Sequence, residues 1–291
     1  MKLKGIVLIA LMSLGTVRSQ EASEPTRSGF APINGLEMYY EVHGEGKPLV
    51  LIHGSFMDIP MNWSGFIPLL VSGRKLILAE MQGHGRTKDI PREFGYAQMA
   101  DDVAGLLDYL EIDRTDVLGY SMGGGVAFQM AVRHPESVRR LVVLSGTYAH
   151  DGWWPEVEAL FSTMNGDMFR GSPLERLYLE HGNDPANFDA YIKKIISVDL
   201  KGYDWSGEVK RIKAPVLMAL GDADGIRYEH ALELFKALGG GKMGDVHGLP
   251  KSRLAILPGT THVGMIQQTG LLVPMIVDFL EWDLDTAPPG F

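Results

Sequence analysis

Asp116-Val117-Leu118-Gly119-Tyr120-Ser121-Met122-Gly123-Gly124-Gly125 is the stretch on which the fold turns. A strand expected over 116–119 runs into a serine with a glycine two residues to either side, and a helix predicted over 122–133 begins at once. A chain can pass from strand to helix that abruptly only through a strained turn, and the flanking glycines relieve the crowding it creates. Such a turn lifts the Ser121 hydroxyl above the sheet. It also puts the serine at a helix N-terminus, where the dipole and free N–H groups favour developing negative charge. Gly124 and Gly125 permit close packing of that helix, which His134-Pro135 stops.

Outward from this turn, strands and helices alternate. Ile33-Asn34-Gly35-Leu36 reads as a hairpin turn. Strands are expected over 37–42, 48–52, 75–79, 140–144, 216–220 and 254–257, with helices over 96–110, 229–238 and 271–282. This rhythm defines an α/β fold with a mostly parallel central sheet covered by helices on both faces. It breaks between Gly146 and about Arg211, where Trp153, Phe161, Met164, Phe169 and Leu177 fall at helical spacing with no strand. Residues 147–211 are therefore expected to form an inserted helical cap over the sheet's C-terminal edge, where ligands of open α/β sheets sit. The core then comprises 29–146 and 212–283. Trp153 and Trp154 are the cap's candidates for lining a substrate pocket.

A serine hydroxyl needs a base, and the base needs an orienting acid. Of nine histidines, His262 follows the last strand in Leu257-Pro258-Gly259-Thr260-Thr261-His262, on a loop able to swing over Ser121. His53, His84 and His134 occupy turns or a helix stop, and His43, His150, His181, His230 and His247 lie in loops, helices or the cap. The acid belongs between Ser121 and His262 at a strand's end, which Gly221-Asp222-Ala223-Asp224-Gly225 satisfies twice. Asp222 is suited to fixing the turn, whereas Asp224 can leave the strand and reach the histidine.

Together these residues resemble the α/β-hydrolase superfamily, over nearly all of the chain after its first residues. The resemblance rests on His53-Gly54, Gly83-His84-Gly85-Arg86, the Ser121 turn, Gly221-Asp222-Ala223-Asp224 and Gly259-Thr260-Thr261-His262, in the order Ser, Asp, His. The run Gly119-Tyr120-Ser121-Met122-Gly123-Gly124-Gly125 is most similar to aryl esterases and the cofactor-free haloperoxidase/perhydrolase group. It adds weight to Asp224 and implies an oxyanion hole from the N–H of Met122 and that of Ser55 or Phe56. It implies a serine hydrolase acting through an acyl-enzyme on Ser121. A carboxylic ester is the default substrate, with lactones (acyl-homoserine lactones included), perhydrolysis and acyl transfer as alternatives on the same triad. A slow-turnover ligand-binding receptor is the remaining class. One departure stands out: where the family often has Asp-x-Arg before Gly-His-Gly, this chain has Glu80-Met81-Gln82, so no salt bridge is carried over to that loop. Glu80 is expected in a structural hydrogen-bonding role rather than as a substrate contact.

The 291 residues carry 27 Lys and Arg against 36 Asp and Glu, a net charge of −9, with no cysteine. That charge argues against nucleic acid and anionic membranes as partners, and no run of basic residues reverses it. The lack of cysteine excludes disulfides, thiolate catalysis and cysteine-ligated metals. No phosphate-cradling loop or His-x-x-x-His pair points to a cofactor or metal. Lys2 and Lys4 precede an apolar run over 5–14, and Val17 and Ser19 suit positions −3 and −1 of a secretory signal cleaved near Ser19. Residues 1–19 are thus expected to be removed on export, leaving a secreted or periplasmic protein of net charge −12 without stable membrane association. Residues 20–28 read as a linker and 284–291 as a frayed tail.

Overall fold

The strand over Lys47–Ile52 explains the architecture. Leu49, Val50, Leu51 and Ile52 are all fully buried, because Leu49 and Leu51 pack into one apolar cluster and Val50 and Ile52 into another on the opposite face. Covering both faces of a strand makes it a continuous apolar run rather than an alternating one. Each such side chain contributes roughly 1.5–3 kcal/mol of burial free energy.

The computed structural model describes residues 24–283. The expected signal segment and tail lie outside the described residues, as do residues 20–23 of the expected linker. Eight strands form one sheet: β1 (Arg27–Ile33), β2 (Leu36–His43), β3 (Lys47–Ile52), β4 (Arg74–Ala79), β5 (Thr115–Tyr120), β6 (Val138–Leu144), β7 (Val216–Ala223) and β8 (Arg253–Thr261), in the order β1-β2-β4-β3-β5-β6-β7-β8. β1 and β2 form an antiparallel hairpin whose turn residues, Asn34 (φ 49°) and Gly35 (φ 86°), adopt the left-handed backbone that an Asn-Gly hairpin requires. β2 pairs antiparallel with β4, and all remaining pairs are parallel. Strand order reverses at β3, so the C-terminal ends of β3 and β5 lie side by side, with Ile52 opposite Gly119. A switch point of this kind opens a crevice above the sheet.

Eleven α-helices surround the sheet among the described residues: α1 (Ile59–Trp63), α2 (Ile67–Leu70), α3 (Tyr96–Tyr109), α4 (Met122–Arg133), α5 (Pro155–Phe161), α6 (Pro173–Glu180), α7 (Phe188–Leu200), α8 (Ser206–Val209), α9 (Tyr228–Ala237), α10 (Gly244–His247) and α11 (Thr269–Glu281). α3, α4 and α9 cover one face, α1, α2 and α11 the other. α5 to α8 all fall between β6 and β7, and part of this stretch closes a small core of its own around Phe169, Leu174, Tyr178, Phe188, Ile192 and Ile196.

β8 runs to Thr261, well beyond its expected end at residue 257. Gly221 pairs with Leu257 but Ala223 with Thr261, so β8 bulges over Pro258-Gly259-Thr260 before rejoining its neighbour. A bulge inserts extra residues and re-aims the chain beyond it, and the first residue beyond this strand is His262. The fold also gathers charge that the chain disperses. Lys47, Arg114, Arg139, Arg140, Arg211, Lys213 and Lys251 line one groove of about 740 Å3 together with four acidic side chains. Along the sequence these residues fall in separate short stretches, so a basic patch that was not expected is assembled by the fold. No helix of the described residues is long and apolar enough to cross a membrane.

Candidate active site

Ser121 caps α4 with φ 53° and ψ −116°, a conformation that L-residues adopt only under constraint. The constraint is close contact. A Cβ on Gly123 would stand 2.0 Å from the Ile52 carbonyl oxygen, and one on Gly119 2.0 Å from the Gly123 oxygen. Strand β3, strand β5 and helix α4 thus meet with no room for a side chain. The Ser121 N–H donates to the Leu144 oxygen at 2.9 Å, tying the turn to β6.

The Ser121 Oγ lies 2.9 Å from His262 Nε2, and His262 Nδ1 lies 2.8 Å from Asp224 Oδ1. An ionised carboxylate only accepts, so Nδ1 carries the proton and the Nε2 lone pair faces the serine hydroxyl. Asp224 is 6 % exposed. Burial pushes its carboxyl up, yet the His262 imidazole and donors from Ser145 and Gly221 hold it below the usual carboxylate range. Those donors are the Ser145 hydroxyl at 2.5 Å and the Gly221 N–H at 3.3 Å, both to Oδ2, with the Ile226 N–H on Oδ1 at 3.3 Å. Asp222 instead accepts the Thr260 N–H at 3.1 Å and so holds the β8 bulge. The Tyr120 hydroxyl donates to the His262 carbonyl at 2.8 Å, which fixes the histidine loop.

The loop after β3 brings Ser55 and Phe56 beside this group. His53 is fully buried, donates from Nδ1 to the Gly54 carbonyl at 2.8 Å and accepts the Met81 N–H on Nε2 at 3.0 Å. The Gly54 N–H donates to Asn62 Oδ1 at 2.8 Å, and Phe56 is held at φ 64°. Met122 opens α4, where its N–H has no intrahelical acceptor. Ser55, Phe56 and Met122 all line the same cavity as Ser121 and His262.

Glu80 lies elsewhere. It is fully buried and accepts from Arg86 through Nη2 at 2.5 Å, Nε at 3.0 Å and the backbone N–H at 2.6 Å, and from the Ile59 N–H at 3.3 Å. The loop therefore does carry a salt bridge. Its arginine comes from the Gly-His-Gly-Arg run instead of preceding it.

The cavity has a volume of about 350 Å3 and walls that are mostly apolar, including Trp153, Leu160, Phe161, Met164, Phe169 and Ile195. The Trp153 ring meets His262 edge-on at 5.4 Å. Trp154 does not line the cavity. Both tryptophans have extended, polyproline-like backbone (φ −76° and −67°), which turns successive side chains in different directions, and Trp154 packs against Tyr228. The histidines set aside from the sequence have other partners: burial first, then the neighbouring His53 ring, which disfavours a second positive charge there, push His84 down to about 3, and His230 stacks on Tyr148 at 3.7 Å. Two residues were missed from the sequence. Ser145, at the end of β6, supports Asp224. Asp199, in the last turn of α7, lines the cavity and accepts the Tyr96 hydroxyl at 3.1 Å. Among the described residues, no group of His, Cys, Asp or Glu has metal-binding geometry.

Residues 47–177 match the family model described as the alpha/beta hydrolase fold. Over 104 residues the chain is 39 % identical to a 2-hydroxymuconate semialdehyde hydrolase from Pseudomonas sp. strain CF600, covering 35 % of this chain and 37 % of that one. It spans only 36–41 % of the length of the first curated relatives it matches. A longer match, 27 % identical over 268 residues, covers 84 % of this chain and 98 % of a pimeloyl-(acyl-carrier protein) methyl ester esterase from Yersinia enterocolitica. The structure of a meta-cleavage product hydrolase from Pseudomonas fluorescens superposes with a TM-score of 0.70 at 22 % identity, over 88 % of this chain and 97 % of that one. The chain has the α/β-hydrolase fold.

Proposed function

We propose that the protein is an exported serine hydrolase that cleaves a small carboxylic ester through an acyl-enzyme on Ser121. The observation that carries this reading is the hydrogen-bonded series Ser121–His262–Asp224, with links of 2.9 and 2.8 Å, opening on an apolar cavity. Ser121 Oγ attacks the ester carbonyl carbon while its proton passes to His262 Nε2, and Asp224 holds the imidazolium. The carbonyl oxygen becomes an oxyanion facing the N–H of Met122 and that of Ser55 or Phe56, where two preorganised donors lower the barrier by several kcal/mol. The tetrahedral centre then collapses. His262 returns its proton to the departing alkoxide, and the alcohol leaves an acyl group on Ser121. Water repeats the sequence and releases the acid. The apolar cavity suits an acyl chain, in keeping with the methyl ester esterase that matches most of the chain.

Ser121→Ala is expected to abolish both turnover of p-nitrophenyl acetate and labelling by a fluorophosphonate. Retention of either at the wild-type rate sinks the mechanism. A substrate panel of esters and lactones of graded acyl length, with peroxide and alcohol acceptors added, separates ester hydrolysis from lactone opening, perhydrolysis and acyl transfer. A burst without turnover across that panel would mark a receptor instead. Export is read from the N-terminus of protein recovered outside the cytoplasm, expected to begin near Gln20.

A further inference from the structure

Asp199 is out of place in its surroundings. The cavity wall carries four titratable groups, Tyr96, Tyr120, Asp199 and His262, and no Lys, Arg or Glu. One Asp199 oxygen accepts from Tyr96, and the other has no hydrogen-bond partner among the described residues. That oxygen is not among the polar atoms sealed without a partner inside the packing, so it is reachable. Asp199 also sits at the C-terminal end of α7, where the helix dipole disfavours an anion. An ionisable side chain with half its acceptor capacity unused, in an apolar cavity and without a Lys or Arg beside it, costs stability. A leucine there would fill the cavity wall more cheaply. Burial, only partly opposed by the Tyr96 hydrogen bond and by His150 and His262, pushes the Asp199 carboxyl up to about 6.

We propose that Asp199 is a specificity-determining residue whose free carboxylate oxygen accepts a hydrogen bond from an O–H or N–H group carried by the substrate. This rests on the ester-hydrolase reading above and narrows it: the preferred ester bears a hydrogen-bond donor on the part lodged under α7. An ammonium group gains further from the negative field of Asp199 and the helix end. A carboxylate at the same position is repelled.

The test compares p-nitrophenyl esters of one chain length ending in methyl, hydroxyl, ammonium or carboxylate, on the wild type, Asp199→Asn and Asp199→Leu. The wild type is expected to favour the hydroxyl and ammonium esters over the methyl ester in kcat/KM and to disfavour the carboxylate. In Asp199→Leu the hydroxyl-to-methyl ratio falls by about tenfold or more, since a site built to pair a donor discriminates strongly against its absence. Asp199→Asn retains the hydroxyl preference and loses the ammonium preference. A wild type indifferent to the end group overturns the proposal. So does a proportional loss on all four esters in Asp199→Leu, which would mark a structural partner of Tyr96. Calorimetric binding of an alkanol, an alkylamine and the matching alkanoate reads the same preference without turnover. A protein that neither hydrolyses any ester nor reacts with fluorophosphonate, yet prefers the alkylamine, loses the hydrolase reading and keeps the Asp199 assignment.

Discussion

The Ser145 hydroxyl donates to Asp224 Oδ2 at 2.5 Å, from a buried serine at the end of β6 whose own backbone sits at φ 49°. Oδ1 of the same carboxylate receives His262 Nδ1–H, so the two oxygens are divided between holding and being held. Ser145→Ala is expected to leave the fold intact and free the Asp224 carboxylate to rotate. A hydrogen bond to a charged group is worth about 1.5–3 kcal/mol, and kcat should fall roughly tenfold with KM nearly unchanged. Steady-state kinetics on p-nitrophenyl acetate decides; an unchanged kcat removes the role assigned to Ser145.

Gly123→Ala should cost roughly 3 kcal/mol or more, because the atom in the way of the new Cβ is the backbone oxygen of Ile52, which no rotamer change can move. The melting temperature should drop by about 6–12 °C, and fluorophosphonate labelling should slow. Gly270→Ala in α11, where nothing lies within 4 Å, is the matched control and should be neutral or slightly stabilising.

Glu80→Gln breaks a buried ion pair from one side. Gln retains one acceptor but turns an N–H2 toward the Arg86 guanidinium and the N–H groups Glu80 now serves. Removing one partner of such a pair costs about 3–5 kcal/mol, and the denaturant midpoint should fall accordingly. A midpoint equal to wild type would mean that the pair contributes nothing.

Asp199 gives the fold an inverted pH response. Its unfolded-state carboxyl releases the proton near 3.9, whereas burial raises the folded value to about 6. Between those values the folded state keeps a proton that the unfolded state has lost. Stability from this group therefore falls as pH rises through that window and stays lower above it, by about 2–3 kcal/mol. Asp199→Asn escapes the loss: it should melt several degrees above wild type at pH 8 and close to it at pH 4. His150, His262 and the Tyr96 hydrogen bond favour the ionised carboxylate and burial outweighs them; these pairings are lost with the charge in Asp199→Asn, so the difference reads the net effect. A melting difference independent of pH would exclude this account.

How much could be read from the sequence depended on how local each signal is. Helix α4 was legible to the residue, because strand, glycines, serine and helix stop are contiguous. His262 and Asp224 were legible because each comes after a strand, although the bulge that assigns Asp222 to the turn and aims His262 appears only once β7 and β8 are paired. Ser145 and Asp199 left no signal, since their partners lie 79 and 103 residues away and meet them only through the fold. Trp154 differs for a local reason: its extended, polyproline-like backbone turns it away from Trp153, toward Tyr228. The cationic groove joins two short basic stretches, Arg139-Arg140 and Arg211-Ile212-Lys213, to Lys47, Arg114 and Lys251, and only the fold brings these together.

Tyr120 has a consequence for the precision of the site. It is the covalent neighbour of Ser121, and its hydroxyl anchors the main chain at His262, with its ring 5.6 Å from the imidazole. Nucleophile and base are thereby surveyed from a single benchmark. A displacement of β5 carries both along and cancels in their separation, as common-mode noise cancels in a differential measurement. What remains to blur the 2.9 Å gap is the relative motion of turn and loop, the component that the Tyr120 bond opposes.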